Sequence, residues 1–502
     1  MTARTLRALA LLAGALALGV SADVLRTWVP ARLDVALWAS LFVVTVTVLI
    51  RARALPAPPQ AAWLSAMAWL LVASLIWRDS PTLFGLNLVG LAGLLALGAP
   101  GTAMRSIDRL GVSQLARGSV LLGAETVGGP LSAAVRDVEW AELPLTSRTR
   151  RIGGVLAGFA AAIPVLVVFG GLFGEADPLF RQAIDQVFAF DPEHLLVTGL
   201  VAWFAAGALR GSFWREGRGP ARDLGAGGQA SAGLLVGFVG GIAALFALFV
   251  GFQARELFLD SGQFQALTGV TIAEYARGGF FELLWVAILT MPLLLGADWL
   301  LAKGDPAEIR RFRRVTTAVL VLLVPVLASA VHRMVLYVSY YGLTADRFYA
   351  LAFMGWLGGV FAWFAATVLR GQRSRFVPGA LAGAYGMLLL LNIGNPDGVV
   401  AGVNLRRAVA GAPLDAPYVT SLSADAVPEI LALAPSLPEP DRCPLSRLLQ
   451  ERWGAETAKR EAPAVWNLSR RNTQRLLQGS EPGGADCTPG APSGDQDTEA
   501  RL

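Results

Sequence analysis

Ionisable residues at the ends of long apolar segments are the part of this sequence that could do chemistry. Acidic and basic residues surround the start of one apolar segment, and a histidine–arginine pair lies near the end of the next. Charged groups at the edge of a hydrocarbon layer are costly, so they are usually paired or functional. We predict a polar pocket, open to one side of a membrane, lined by Glu274, Arg277, Glu282, His332, Arg333 and Asn395.

This predicted pocket has two interpretations. In the functional one, it binds a polar ligand or a lipid headgroup, or relays protons through His332 and Glu282. In the structural one, its residues pair, cap helices and anchor the chain at the membrane surface, where polar groups cost least. Glu282 is the strongest single functional candidate because it lies inside the apolar run, although a buried Glu282–Arg333 ion pair would be structural.

Weaker candidates lie elsewhere along the apolar segments. His194 opens a segment and is expected at the membrane surface, and Asp298 is expected to pair with Lys303 or face the headgroups. Prolines inside the segments, at Pro292 and Pro325 among others, predict kinks. Such breaks can mark binding sites in transporters, but proline is common in membrane helices generally.

The composition indicates an integral membrane protein. Of the 502 residues, 54% are hydrophobic and 16% are charged, and apolar runs long enough to span a bilayer recur along the chain. The net charge of +5 does not indicate nucleic-acid binding, because the basic residues occupy short loops between apolar runs. Two cysteines and two histidines are too few for a zinc-finger site. With no P-loop, HExxH or GxSxG motif, the sequence predicts no cofactor and no metal.

The apolar runs predict an all-α bundle of about eleven membrane spans. The first follows MTARTLR, and Val20-Ser21-Ala22 would also fit the end of a cleavable signal peptide, although a retained helix is preferred because further spans follow at once. The other predicted spans are Leu33–Ile50, Ala61–Trp77, Pro81–Gly98, Ile152–Phe173, Leu195–Trp214, Leu234–Gly251, Phe280–Leu301, Val315–Tyr337, Phe348–Leu369 and Val377–Ile393.

Arginine-rich loops predict the orientation of the bundle. Alternate loops are rich in arginine, and those between them are acidic or mixed. Because Lys and Arg concentrate on the cytoplasmic side, the N-terminus is expected inside, and an odd number of spans places the chain after Asn395 outside. The LGVSQLARGSVLLGA portion of the long loop between spans four and five predicts a helix at the membrane surface.

The segment after the last span predicts a small helical tail. Asn395-Pro396-Asp397 is typical of a helix start, with Asn as N-cap and Pro at the first helical position. Cys443 and Cys487 both fall in this tail, and an oxidising compartment would allow them to form a disulfide. The alternative is two unpaired thiols.

Four stretches in the second half of the chain carry a family resemblance. They are TIAEYARGGFFELLWVAIL, YYGLTADRFYAL, NPDGVVAGVNLRRA and YVTSLSADAVPEI, and WNLSRR follows them. In this order they resemble bacterial polytopic membrane proteins of the family called domain of unknown function 4173 and of its sister family 4153. The resemblance implies a multi-pass protein of the bacterial inner (cytoplasmic) membrane. It implies no established activity and no catalytic residues.

These observations predict five regions along the chain. They are a four-span segment (1–100), a cytoplasmic loop (101–151), a seven-span family-like core (152–395), a periplasmic helical tail (396–478) and a disordered C-terminus (479–502). Three functions remain open. The leading one is a non-enzymatic envelope scaffold or signalling partner, which sits in the lipid bilayer and whose tail binds a periplasmic or membrane protein. The others are a secondary transporter or channel with a periplasm-facing polar pocket, and a membrane-embedded enzyme acting on lipid-linked substrates.

Overall fold

A computed structural model of the chain is helical throughout the part that it describes. Within that part no strand forms, and one isolated bridge joins Ala31 to Val465. The structure describes residues 2–52, 61–98, 112–139, 142, 192–213, 232–256, 280–301, 306–454 and 465–479.

Eleven helices precede the tail within these residues. They are α1 (Ala3–Trp28), α2 (Leu33–Arg51), α3 (Ala61–Trp77), α4 (Pro81–Gly98), α5 (Val112–Ser132), α6 (Pro192–Phe213), α7 (Ala232–Glu256), α8 (Phe280–Leu300), α9 (Pro306–Tyr341), α10 (Ala345–Thr367) and α11 (Phe376–Gly394). A π-helical turn, Ala133–Asp137, follows α5, and a 3₁₀ turn, Arg373–Arg375, precedes α11.

The tail is built from shorter helices. They are α12 (Pro396–Val409), α13 (Ala416–Ser421), α14 (Val427–Leu433), α15 (Glu439–Leu449) and α16 (Leu468–Gly479), with single turns at Ala424–Ala426, Ala434–Ser436 and Gln450–Gly454. The predicted helix start at Asn395-Pro396-Asp397 is confirmed. The Asn395 side chain accepts a hydrogen bond from the amide of Gly398 at 3.1 Å, and Pro396 occupies the first helical position.

Among the described residues, six helices are long and apolar enough to cross a membrane, namely α1, α2, α8, α9, α10 and α11. Shorter apolar helices lie within α3, α4, α6 and α7. Each predicted span that falls among the described residues coincides with a helix, and the predicted span Ile152–Phe173 lies outside them. The structure therefore supports a helical membrane protein, while the count of about eleven spans and the orientation stay predictions.

Close helix approach explains how α1 and α5 pack against α6. A Cβ atom at Gly19 of α1 would collide with the carbonyl oxygen of Thr198, and one at Gly207 of α6 would collide with that of Thr126. Small residues let helix backbones approach closely in membranes, where van der Waals packing drives association. The region predicted as a cytoplasmic loop thus contains a helix, α5, that lies along α6.

The helices enclose separate apolar cores. The largest joins α3 and α4 to α7–α11, with Leu71, Phe280, Phe312 and Phe364 fully buried. A second core lies mainly between α1 and α6. The tail has its own core, formed by residues such as Val400, Leu405, Val427, Ile430 and Leu445. This core also includes Leu343 of the α9–α10 turn, and Val338 of α9 and Phe348 of α10 pack against it. The tail is therefore packed directly against the end of the α9–α10 hairpin.

Candidate functional site

The turn between α3 and α4 buries three polar residues. Arg78, Asp79 and Ser80 are 8%, 2% and 2% exposed, although they join two apolar helices. The backbone amides of Asp79 and Ser80 donate to Oδ2 of Asp425 in the tail, at 2.7 and 2.9 Å. A helix N-terminus has unpaired N–H groups and a partial positive charge, so a carboxylate stabilises the start of α4. Asp425 thus fastens the tail to this turn.

Arg78 reaches the end of α11 from the same turn. Its Nε donates to the carbonyl of Asn392 at 2.6 Å, and another guanidinium nitrogen donates to that of Ile393 at 3.0 Å. A third nitrogen lies 3.5 Å from Oδ1 of Asp425, and the guanidinium lies over the Trp77 ring. The last carbonyls of a helix lack partners within it and carry partial negative charge. Arg78 therefore joins the C-terminus of α11 to the carboxylate of the tail.

The Asp79 carboxylate collects donors from three parts of the chain. Its Oδ1 accepts hydrogen bonds from Asn467 and from Arg470 at 2.7 Å each, and from Arg32 at 3.2 Å. Its Oδ2 accepts one from the amide of Ala424 at 3.0 Å. Arg32 also donates to the carbonyl of Asp79. A single buried carboxylate thus connects the α1–α2 turn, the α3–α4 turn and two segments of the tail, one at Ala424 and one at Asn467 and Arg470.

Asp397 supplies a third buried carboxylate at the start of α12. Its Oδ2 accepts hydrogen bonds from the hydroxyl and the amide of Ser423. Burial raises the pKa of the Asp397 carboxyl, and the nearby charges of Asp425 and Asp79 raise it further, whereas the hydrogen bonds from Ser423 oppose the shift. No ion pair to Asp397 forms among the described residues. Of the three buried carboxylates, Asp397 therefore has the fewest charged partners to stabilise its ionised form.

Three arginines and three aspartates make up this aspartate network, which we define as Arg32, Arg78, Asp79, Asp397, Asp425 and Arg470. Buried charges are tolerated when they are paired and fully hydrogen-bonded. Asp79 and Asp425 meet this condition, because both oxygens of each accept donors. Among the described residues, no group of three or more acidic, histidine or cysteine side chains is arranged to hold a metal ion. The arrangement is suited to holding segments together.

Two asparagines extend the polar contacts between α4 and α11. The side-chain amides of Asn87 and Asn392 exchange hydrogen bonds of 3.0 and 2.9 Å, and both residues are fully buried. Asn392 also donates to the carbonyl of Leu388 in its own helix at 2.8 Å. Reciprocal amide pairing satisfies both groups inside an apolar bundle. It fixes α11 beside α4 just before the aspartate network begins.

The turn between α9 and α10 is fastened to α12. The side chain of Asn404 accepts a hydrogen bond from the amide of Leu343 at 2.9 Å and donates to its carbonyl at 2.7 Å. Arg407 donates to the carbonyl of Ser339 at 2.7 Å. Gly342 has φ +80°, a conformation that favours glycine, and the side chain of Thr344 caps α10. The YYGLTADRFYAL and NPDGVVAGVNLRRA stretches therefore contact each other in the folded chain.

A second ion network lies near the other end of α1. Asp137 is buried and receives Nε of Arg210 at 2.7 Å and a guanidinium nitrogen of Arg4 at 3.1 Å. Arg210 also pairs with Glu125. This network joins α1, α5 and α6, and so it fixes the helices that lie outside the main core.

The predicted pocket residues are placed in different surroundings. Glu274 and Arg277 lie outside the described residues, and Glu282 falls in the first turn of α8. On α9, His332 is exposed and forms no hydrogen bond or ion pair within the described part of the chain, whereas Arg333 is half-buried. Asn395 donates to the carbonyl of Asp425 at 2.8 Å and so belongs beside the aspartate network. The pocket as a whole stays a prediction.

The other predicted residues have defined positions. His194 contacts Asp23 at 2.9 Å. Asp298 pairs with Arg373 at 2.7 Å, and Lys303 lies outside the described residues. Cys443 is half-buried in α15, but Cys487 lies outside the described residues, so their disulfide stays a prediction.

The sequence reasoning missed Arg78, Asp79 and Asp425. The available signal was the WRDS tetrapeptide, which puts two opposite charges into a turn too short to carry them away from the apolar helices. Ser423 and Asp425 lie in the YVTSLSADAVPEI stretch, and the family resemblance of that stretch implies no role for either residue. Two cavities of about 430 and about 580 Å³ lie between the helices, and apolar side chains form most of their walls.

Comparison with known proteins identifies a family but no activity. The model of the family described as Domain of unknown function (DUF4153) matches residues 65–433. This range includes the α3–α4 turn, Asp397 and Asp425, and it ends before Asn467 and Arg470. The searches of curated proteins and of solved structures return no match. Membership of the sister family 4173 stays a prediction.

Proposed function

We propose that this chain, which belongs to the DUF4153 family, is a non-enzymatic scaffold of the bacterial inner membrane that presents its helical tail to another envelope component. The observation that carries the proposal is the aspartate network, which attaches the tail to two membrane hairpins and to the end of α11. In this proposal the N-terminus is cytoplasmic and the tail is periplasmic, as the arginine-rich loops indicate.

The physical argument rests on rigidity. Breaking a buried ion pair by removing one partner typically costs 3–5 kcal/mol, about ten times more than losing an exposed pair. Asp79 and Asp425 each contact several segments, so the tail loses several connections at once if either carboxylate is removed. A tail held this firmly keeps its surface in a fixed position relative to the membrane, which favours presentation to a partner.

The tail also has the composition of a binding module. Its apolar residues form a core together with Leu343 of the α9–α10 turn, and its outer surface carries charged residues such as Arg406, Glu439 and Arg447. Exposed charges steer association and set specificity.

A secondary transporter or channel is the second candidate. Pro292 lies inside α8 and Pro325 lies inside α9, and interrupted helices accompany binding sites in many transporters. A membrane-embedded enzyme acting on lipid-linked substrates is the third, with Glu274, Glu282 and His332 as its acid–base candidates.

Site-specific photo-crosslinking in living cells tests the scaffold. A photoreactive amino acid is placed at Ser436 or Arg447, which are exposed in the tail, and at Val321 of α9 as an exposed control on the membrane bundle. We expect a discrete protein adduct from the tail positions and none from Val321. In Asp425→Ala the tail adduct should weaken while the amount of chain in the membrane stays the same.

Solute flux into proteoliposomes that contain the purified chain tests the transporter against the scaffold. If the tail positions give no discrete adduct and the vesicles show solute flux that Pro325→Ala changes, the scaffold is wrong and the transporter replaces it. Adducts of equal strength from Val321 and from the tail would also contradict the proposal, because the partner would then not recognise the tail.

A further inference from the structure

We infer that the outer face of α16 binds the phosphate headgroups of anionic phospholipids. This face consists of Leu468, Arg471, Arg475 and Leu476. The inference does not depend on the proposed scaffold function, nor on which side of the membrane the tail occupies. It rests on where α16 is attached and on which side chains its exposed face carries.

The inner face of α16 is attached at the ends of membrane helices. Just before the helix, the amide of Trp466 donates to the carbonyl of Ala31 in the α1–α2 turn at 3.2 Å. Asn467 contacts Asp79 in the α3–α4 turn at 2.7 Å. Thr473 donates to the carbonyl of Ala424 at 3.0 Å. These contacts hold α16 at the level where α1–α4 reach the edge of the apolar layer.

The outer face combines leucines with arginines. Leu468 and Leu476 are 47% and 37% exposed, and Arg471 and Arg475 are exposed between them. Positions 468, 471, 475 and 476 share one side of a helix, because residues three and four apart are neighbours. Neither arginine side chain forms a hydrogen bond or ion pair in the part of the chain that the structure describes. Two exposed cations and two exposed leucines on one face are typical of a helix that lies in a membrane surface.

Exposed tryptophans near α16 also indicate that this helix lies at the edge of the apolar layer. Trp28, at the end of α1, is 82% exposed and lies three residues before Ala31. Trp77, at the end of α3, is 42% exposed and immediately precedes the turn that binds Asn467. Tryptophan is enriched where headgroups meet the hydrocarbon layer.

The chemistry of the face selects a lipid phosphate. A guanidinium binds a phosphate group through two parallel hydrogen bonds, and arginines four residues apart can bind one headgroup or two neighbours. The flanking leucines would be left in water by a free phosphate ion, whereas acyl chains beneath a headgroup cover them. Anionic phospholipid satisfies both kinds of side chain.

The experiment uses the full chain in lipid nanodiscs. A photoactivatable phosphatidylglycerol is added at increasing mole fraction to phosphatidylcholine nanodiscs, and the crosslink yield on residues 468–479 is measured by mass spectrometry. Digestion with chymotrypsin avoids peptides that change when arginine is replaced. The variants are Arg471→Gln/Arg475→Gln and, as a control, Arg447→Gln on α15, which removes another exposed tail arginine.

We expect the wild-type chain to crosslink phosphatidylglycerol on α16. The double variant should need about twenty-five-fold more of this lipid for the same yield, since each interfacial arginine contributes roughly fivefold. Arg447→Gln should leave the yield unchanged. Leu468→Asn/Leu476→Asn should lower crosslinking to photoactivatable phosphatidylcholine as well.

Three outcomes would overturn the inference. The double variant could crosslink as well as the wild type, which would mean that the arginines do not bind headgroups. Millimolar inorganic phosphate could abolish the crosslink, which would identify a free-anion site. The double variant could instead lose a chain-to-chain crosslink at α16, which would show that a second copy covers this face.

Discussion

Replacing Asp425 with alanine should weaken the attachment of the tail to the α3–α4 turn. The carboxylate accepts hydrogen bonds from the amides of Asp79 and Ser80, and it lies 3.5 Å from the guanidinium of Arg78. All of these groups are buried. The variant therefore leaves a buried cation without its carboxylate and two buried N–H groups without an acceptor.

The expected loss follows from these contacts. Removing one partner of a buried ion pair costs about 3–5 kcal/mol, and an unsatisfied buried N–H costs about 1–3 kcal/mol. These costs overlap, and Arg78 keeps its hydrogen bonds to the carbonyls of Asn392 and Ile393. We therefore expect Asp425→Ala to lower the free energy of unfolding by about 3–5 kcal/mol.

Glu429→Ala is the matched control. Glu429 lies four residues further along the tail and pairs with Arg406 at 2.7 Å, but this pair is largely exposed. Exposed ion pairs contribute about 0–1 kcal/mol. Both variants are measured as full chains in bicelles by denaturant unfolding, with proteolysis of the tail as a second readout. If Asp425→Ala destabilises the chain no more than Glu429→Ala, the aspartate network does not hold the tail.

Three further predictions concern other buried positions. Replacing either Asn87 or Asn392 with leucine should lower the free energy of unfolding by about 1–3 kcal/mol. The double variant should lose less than the sum of the two single losses, because no side-chain amide is then left unpaired, and a double-mutant cycle measures this. Because burial raises the pKa of Asp397, the folded chain binds its proton more tightly than the unfolded chain, and this stabilisation is lost as pH rises through the raised pKa. Asp397→Asn should therefore be at least as stable as the wild type at pH 7, and the difference in stability should shrink on acidification. Unfolding midpoints measured across pH test this, and a variant less stable than the wild type at pH 7 would contradict it. Gly207→Ala should destabilise the α5–α6 contact by about 1–3 kcal/mol, whereas Gly237→Ala, whose added methyl meets open space, should change the melting temperature little.

The sequence predicts the helices well for a physical reason. In a bilayer every backbone polar group must be paired within its segment, so a long apolar run has few alternatives to a helix. The cap residues Thr344 and Asn395 were predictable for the same kind of local reason, since the side chain of each accepts a hydrogen bond from the amide three residues further along.

The aspartate network was not predictable because it is built from contacts distant in sequence. Asp79 contacts Asn467 and Arg470, which are 388 and 391 residues away in the sequence. His332 and Asn395 were grouped in the predicted pocket because each lies near the end of an apolar segment, but such positions do not determine which side chains face one another. Asn395 contacts Asp425, whereas His332 is exposed on α9.

The distance between the tail and the membrane helices is the most direct test of the account. Spin labels are introduced through unnatural amino acids, which leaves both cysteines untouched, at Ser436 in the tail and at Val24 on α1, both exposed. Pulsed electron paramagnetic resonance of the full chain in nanodiscs then gives the distribution of distances. We predict one narrow distribution for the wild type and for Glu429→Ala, and a broad one for Asp425→Ala. A broad distribution in the wild type would contradict a tail held in place by the aspartate network.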